Sequence, residues 1–275
     1  MTKTWLVTGS SRGIGRAICT AALDNGDNVV ATARRPADLD DLVEQDPDRV
    51  RAVALDVSDP AAAQHAVETA IDAFGRHDVV VNNAGNANTA PIEHTSLDEF
   101  RDQIEVNLMG VIYVSKAALP HFKARRSGHY LQFSSIGGRV GGTPGIAPYQ
   151  ASKFGVEGFS LVLASELAPY GVKMTIVEPG SFRTDWAGSS MRMDDGGPDY
   201  ADTVGAMVRY RQEHDGQAAG DPAKAGQVLV DVVGLDDPPQ RLLLGSDALG
   251  LAQRHNADLA EETEAWAGLS RSTDF

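Results

Sequence analysis

The sequence predicts an α/β fold: a doubly wound, mostly parallel seven-stranded sheet with helices on both faces. Short apolar, β-branched runs alternate with longer helical stretches along the chain, the rhythm of parallel βαβ units. The runs are close to continuously hydrophobic, as in Val79-Val80-Val81, which suits strands buried on both faces. The length of 275 residues and the 42% hydrophobic content allow one sizeable core. A single domain over 1–275 is expected, with a flap at about 185–221 and a C-terminal helix and tail at about 246–275.

In chain order, strands are expected at 4–8, 28–32, 50–55, 78–82, 129–134, 173–177 and 241–244, with helical stretches between each consecutive pair. Asp59-Pro60 reads as an N-cap followed by proline at the first helical position. Ser96-Leu97-Asp98-Glu99 reads as a capping box that opens a helix running to about 122. The stretch 185–221 breaks the rhythm with Gly, Met and Asp, and the tail after Gly245 reads as one polar helix with a frayed end.

Composition narrows the function classes. A formal charge of -14 with no dense Lys/Arg cluster argues against a nucleic-acid face. No apolar run approaches the roughly 20 residues of a membrane helix, and no secretory leader is recognised, so a cytoplasmic protein is expected. The single cysteine, Cys19, rules out an intrachain disulfide and reads as a core residue rather than a nucleophile. The seven histidines are scattered as singletons, so no catalytic metal is expected, and most should be solvated or capping residues.

The strongest motif follows the first strand: Thr8-Gly9-Ser10-Ser11-Arg12-Gly13-Ile14-Gly15, then a helix. Glycines at 9, 13 and 15 let the backbone turn sharply and approach a pyrophosphate. The helix start adds free N–H groups and a positive dipole end. A tight turn needed only for packing is the bland alternative. Placed after the first strand of an alternating fold, the loop points to a dinucleotide site of the Rossmann kind. Tyr149 and Lys153, four residues apart, share one helix face, and a neighbouring ammonium favours a phenolate. Asn107, a mediocre helix former, sits inside a helix.

The TGxxxGxG spacing resembles the short-chain dehydrogenase/reductase family, short single-domain branch. Asn82-Asn83-Ala84-Gly85 is similar to its NNAG element, Asn107, Ser135, Tyr149 and Lys153 to its tetrad, and Pro179-Gly180 to its PG element, over roughly residues 4–245. The resemblance implies that Tyr149 is the general acid/base. Lys153 would also bind the cofactor ribose, and Asn107 would support a water relay to that lysine. The cofactor would contact Gly9, Ser11, Arg12, Gly13, Ile14, Gly15, Asn83, Ala84, Gly85, Tyr149, Lys153, Pro179, Gly180 and Thr184, with Asp56 and Val57 beside the adenine. Asp56 as a helix cap, Asn83 as a structural turn and Thr184 as an ordinary helix-start residue remain open alternatives.

NADP(H) is expected as cofactor. The acidic residue that accepts from the ribose of NAD after the second strand is replaced by Ala33, followed by Arg34 and Arg35. Arg34 can bond a 2′-phosphate, although two arginines there can also be merely solvated. Successive strand residues face opposite ways, so of Ser134 and Ser135 only one should face Tyr149. They lie 15 and 14 residues before it, whereas the resemblance implies a serine most often thirteen residues before the tyrosine. An inserted residue in the glycine-rich loop 137–144 favours Ser135.

Trp186, Met191 and Met193, with Tyr200 and Gly188, Gly196 and Gly197 nearby, suggest a mobile apolar flap over the substrate; an oligomer contact is the alternative. The helices near 96 and 149 carry Val111, Ile112, Val114, Ala117, Ala118, Phe154, Phe159, Leu161, Val162 and Leu163. That is more apolar surface than one sheet face needs, so a homodimer or homotetramer is expected. The expected function is an oxidoreductase moving hydride between NADP(H) and a carbonyl or secondary alcohol of a small to medium, partly apolar substrate. The alternative is an NADP(H)-binding redox sensor without turnover.

Overall fold

A computed structural model describes residues 2–185, 191–214 and 216–275. In chain order the elements are β1 (Thr4–Val7), α1 (Gly13–Asp24), β2 (Asn28–Ala33), α2 (Asp40–Gln45), β3 (Val50–Ala54), α3 (Pro60–Phe74) and β4 (Val79–Asn82). After these come α4 (Leu97–Ile104), α5 (Gly110–Arg125), β5 (Gly128–Phe133), α6 (Ala147–Leu167) and β6 (Val172–Pro179). The last are α7 (Val204–Glu213), α8 (Pro222–Val233), β7 (Arg241–Leu244) and α9 (Ser246–Arg271).

The strands form one sheet in the order β3-β2-β1-β4-β5-β6-β7, and every pairing is parallel. The expectation of a mostly parallel sheet is thus met by a wholly parallel one. Alternation along the strands sends Trp5, Val7, Val79 and Val81 into one core with α1 and α8 residues such as Ile18 and Leu229. Leu6 and Val80 point the other way, onto α3, α5 and α6 residues including Val67, Phe122 and Leu163. Both faces are dry, which is why the strands read as unbroken apolar runs.

Strand order reverses between β1 and β4, so their C-terminal ends flank a crevice, the usual ligand position in open α/β sheets. Asp59 caps α3, accepting from Ala61 N at 2.8 Å, and both bonds of the Ser96–Glu99 capping box form. The helix expected from there to about 122 is interrupted: Glu105–Met109 is a π-helical turn that joins α4 to α5. Propensity and periodicity do not register a change from i→i+4 to i→i+5 bonding, so the sequence carried no sign of it.

Several placements differ from expectation. Thr8, Leu55, Asp78 and Ser134 lie just outside the strands that were drawn through them, and β6 reaches Pro179. His77 and His129 are buried, at 1% and 3% exposure, rather than solvated. Burial pushes the His77 imidazole down to about 4. Cys19 is fully buried, and burial pushes its thiol up to about 12, an inert core thiol. Of the apolar residues on α5 and α6, Val111, Val114, Ala117, Ala118 and Leu163 already cover the chain's own core, while Phe154 and Val162 are 47% and 60% exposed.

The N-terminal edge of the sheet is tied by Asp78. Its carboxylate accepts from Thr4 N at 2.9 Å, Arg76 Nε at 2.7 Å and Arg125 Nη2 at 3.0 Å. Burial alone would raise its pKa, but these donors outweigh burial and hold it below the ordinary 3.8. A depressed carboxylate stabilises the fold above its unfolded pKa, and that stabilisation is lost as pH falls through the folded value. Asp78→Ala strands a buried β1 amide and two arginines. It should cost about 3 kcal/mol by urea denaturation at pH 7, with the difference shrinking below pH 4. A loss under about 1 kcal/mol would show that the junction is unimportant.

Candidate active site

Thr8 stands where β1 ends and the glycine loop begins. Its hydroxyl donates to Val81 O at 3.1 Å and accepts from Asn83 N and Ala84 N, both at 3.0 Å. The Asn83 side chain returns two bonds, donating to Thr8 O at 2.9 Å and Gly9 O at 3.3 Å. The two strand ends are therefore stitched together by side chains. Gly9, at φ +69°, uses the left-handed conformation. At Gly15 an added Cβ would lie 2.3 Å from Gly9 O, so only glycine lets the helix start sit this close to the loop.

The cradle ends at α1, whose first turn has no side-chain cap and no acidic residue, so its N–H groups and dipole face the crevice. Arg12 and Arg34 are exposed on its rim. Among the described residues Arg34 makes no hydrogen bond; it acts electrostatically on Asp56, whose pKa is held down chiefly by hydrogen bonds from the Ser58 hydroxyl and amide, with a smaller effect from Arg34. Arg35 is paired with Asp38. Asp56 is therefore committed to Ser58 in a local turn, while Asp59 is the residue that caps α3. Val57 is buried against Gly110. Ser11 and Ile14 are half-buried on the loop, and Ile14 packs on the α1 core.

Thr184 lies across the crevice, its methyl against Gly13. Gly180 is placed by a different constraint: its amide donates to Leu244 O at 2.8 Å, and a Cβ there would strike the Asp247 carboxylate. The turn that begins at Pro179 is thus fastened to β7 and α9.

The side chains of the expected tetrad converge beside this cradle. Asn107, fully buried in the π-helical turn, donates to Asn86 O at 2.8 Å and accepts from Asn86 N at 2.9 Å. This reciprocal pair holds the chain just after Gly85, where the space a Cβ would take borders both Asn107 and the Lys153 ammonium. Lys153 donates to Phe133 O at 2.7 Å and sits 5.7 Å from the Tyr149 ring centroid. Burial pulls its ammonium down to about 8. Tyr149 is raised above the usual phenol value by burial; a hydrogen bond with Ser135 and the charge of Arg211 oppose that rise.

The two serines part company here. The Ser135 hydroxyl meets the Tyr149 side chain and accepts from Gly137 N at 3.0 Å. The Ser134 hydroxyl turns to Lys153 O at 3.4 Å, on the other side of the strand end.

Tyr149 also forms a small apolar cluster with Ala87, Ile146 and Met191, against which Met193 packs. Met193 bridges to Thr89. Tyr200 does not join this cluster: its hydroxyl donates to Glu93 and its ring packs on His94. Trp186 and Gly188 lie outside the described residues. The 185–221 stretch contains α7 as well as irregular chain. From α7, Arg211 reaches Thr89 Oγ1 and lies close enough to Tyr149 for the two charges to interact. Sequence reasoning missed Arg211, Thr8 and Asn86. Thr8 stood inside the quoted motif, but nothing marked its hydroxyl. Arg211 is one cation in a polar helix, and only the tertiary packing turns it inward.

A parallel sheet with a switch-point crevice, a glycine cradle at a helix start, and buried Tyr149 and Lys153 beside half-buried Ser135 define an oxidoreductase of the dinucleotide-binding kind. The chain belongs to the short-chain dehydrogenase/reductase family: residues 3–195 match the family model for short chain dehydrogenase. It is 49% identical to Oxidoreductase BOA17 of Botryotinia fuckeliana over 98% of both chains. A short-chain dehydrogenase structure from Streptomyces avermitilis aligns over 100% of both chains with TM-score 0.93 and 39% identity. An alcohol dehydrogenase from Thermococcus sibiricus complexed with 5-hydroxy-NADP aligns over 89% of this chain and 96% of its own, with TM-score 0.72 and 26% identity.

Proposed function

We propose that the chain is a single dinucleotide-binding catalytic domain. It would be an NADP(H)-dependent reductase or dehydrogenase acting on a carbonyl or secondary alcohol of a small to medium, partly apolar substrate. The observation that carries this reading is the meeting of Tyr149, Ser135 and Lys153 at the mouth of the glycine cradle. The cradle suits a dinucleotide: Gly9, Gly13, Gly15 and Gly85 leave backbone open where side chains would crowd, and Lys153 keeps donors beyond the one given to Phe133. Ser11, Arg12, Ile14, Asn83, Ala84, Val57, Asp56, Pro179, Gly180 and Thr184 would complete the binding surface. A bound nicotinamide would supply or accept the hydride.

In the reducing direction Tyr149 donates its phenolic proton to the carbonyl oxygen as the carbon gains hydride, giving the alcohol. Ser135 holds that oxygen and stabilises its developing charge. Lys153 stabilises the phenolate left behind. Asn107 fixes the turn after Gly85, through Asn86, and thereby the wall of the site. The raised pKa of Tyr149 keeps the phenol protonated at neutral pH, the state needed to donate. The exposed parts of α5 and α6, Phe154 and Val162 among them, are the surface through which a dimer or tetramer would form. Among the described residues no helix is long and apolar enough to cross a membrane. A cytoplasmic location and no nucleic-acid partner fit the charge of -14.

Three substitutions test the site, read as NADPH oxidation at 340 nm with a ketone panel. Ser135→Ala should lower kcat/KM by about 10² or more, Ser134→Ala should keep most activity, and Tyr149→Phe should abolish turnover while cofactor still binds. Greater damage from Ser134→Ala, with both serine variants folded, contradicts the assignment.

Cofactor choice is tested at Arg34, where the rim is cationic and no carboxylate occupies the ribose position after β2. Arg34→Asp should raise KM for NADP selectively, by roughly tenfold or more, on the scale of one charge-assisted bond. A wild-type KM lower for NAD than for NADP at comparable turnover would refute the NADP reading.

A further inference from the structure

We propose that Arg211 is an anion anchor in the substrate site, and that the substrate is an oxo or hydroxy acid whose carboxylate lies a few bonds from the reacting carbon. This rests on the reading of Tyr149 as the group that exchanges a proton with the substrate oxygen.

Arg211 comes from α7, an element outside the cofactor cradle. Its guanidinium turns inward, one nitrogen donating to the hydroxyl of Thr89 and lying 3.9 Å from Met191 Sδ. Both neighbours are buried, at 1% and 7% exposure, and Met191 packs with Tyr149, Ala87 and Ile146. The cation therefore stands at the wall of the apolar cluster that holds the reactive phenol, near enough to Tyr149 for their charges to interact. α7 is seated there by Val204, buried where Gly145 and Thr89 crowd together.

Among the described residues, Arg211 has no carboxylate partner. Nearby Arg192 pairs with Glu99, and Arg209 on the same helix is exposed and donates to Ala201 O, so neither stands inward with its fork unspent. A guanidinium that has lost part of its hydration and gained one neutral hydroxyl is poorly compensated. Its planar fork carries five N–H donors, most still unspent, in the geometry that grips a carboxylate with two parallel bonds. One guanidinium balances one negative charge. A phosphate dianion would leave excess charge among methionines and isoleucine, so a carboxylate fits better. On a chain of net charge -14, an inward cation also gives an anionic substrate a local attraction. With the carboxylate on Arg211 and the oxygen on Tyr149 and Ser135, the apolar remainder lies along Ile146, Met191 and Met193.

The test compares 2-, 3- and 4-oxo acids of six to ten carbons with their methyl esters, using wild type, Arg211→Met and Arg211→Lys with NADPH. Wild type should prefer at least one acid over its ester by about 30-fold in kcat/KM, expressed mainly in KM. Arg211→Met should collapse that ratio towards one, and Arg211→Lys should recover part of it. The ratio is internal to each variant, so a general loss of activity or an effect on the phenol cancels from it. Equal use of acid and ester by wild type, an unchanged ratio in Arg211→Met, or preference for an oxoalkyl phosphate over every oxo acid would overturn the proposal. A second arm needs no turnover: hexanoate and hexanamide are titrated calorimetrically into protein saturated with NADP. Hexanoate should bind wild type at least about tenfold more tightly than hexanamide, and Arg211→Met should lose that difference. Equal binding of the two by wild type overturns the anchor. Anchored hexanoate binding without reduction of any ketone would instead refute the enzyme reading and leave the anchor standing.

Discussion

The architecture of the site depends on the Thr8 hydroxyl. β1 and β4 pair in register through Val7 and Val81, and beyond that point their connections diverge to opposite faces of the sheet. At the divergence the ladder ends with the Thr8 amide on Val81 O, at 2.9 Å. The Thr8 side chain supplies further partners, donating to Val81 and accepting from Asn83 and Ala84, while Asn83 closes the circuit on Thr8 and Gly9. Five backbone groups gain side-chain partners in one place, of which Val81 O also accepts from Thr8 N. The glycine loop and the turn that carries Gly85 thereby become one rigid lip. The same turn is held further on by Asn107 through Asn86, which connects the lip to the π-helical turn and to the Lys153 side of the site.

Desolvation sets the chemistry. Burial disfavours the ionised phenol of Tyr149 and the protonated amine of Lys153 alike, raising the first and lowering the second. The two groups, whose reference values lie close together near 10, are moved apart on the pH scale, which keeps the phenol protonated until a bound oxygen takes its proton. Ser135 and Arg211 act against burial at the phenol. Burial that sharpens electrostatics also limits the number of charges the cluster tolerates, and this is why an inward arginine without an acidic partner carries information.

Much of the fold was legible because both sheet faces are covered. Runs such as Val79-Val80-Val81 cannot be solvated, and their alternation with helical stretches left one sheet type. The capping residues Asp59 and Ser96 were equally plain, since their partners are local in sequence. The strands expected to include Thr8 and Ser134 end one residue earlier, because Thr and Ser are themselves tolerated in strands and mark no boundary. In the candidate site, what was legible was the residue types at fixed spacing: the glycines, and Tyr149 with Lys153 on one helix face. The side on which each serine falls followed from strand alternation, and Ser135 does meet Tyr149 while Ser134 turns away. The π-helical turn, the Thr8 circuit and the inward course of Arg211 were not legible. The π-helical turn is local but leaves no mark on periodicity, while the Thr8 circuit and the course of Arg211 depend on residues far apart in sequence, such as Arg211 and Thr89, 122 positions apart. Tyr200 misled for the same reason, since its partner Glu93 lies on a separate turn.

We propose that the stitched lip at the β1–β4 junction organises a nicotinamide dinucleotide site. It is tested most directly by cofactor binding to Thr8→Val, measured by NADPH fluorescence titration with the fold checked by circular dichroism. Valine keeps the volume and removes the hydroxyl, stranding two amides at about 1–3 kcal/mol each. The account predicts a folded protein that binds NADPH at least about tenfold more weakly than wild type. Wild-type affinity in a folded Thr8→Val variant would contradict it.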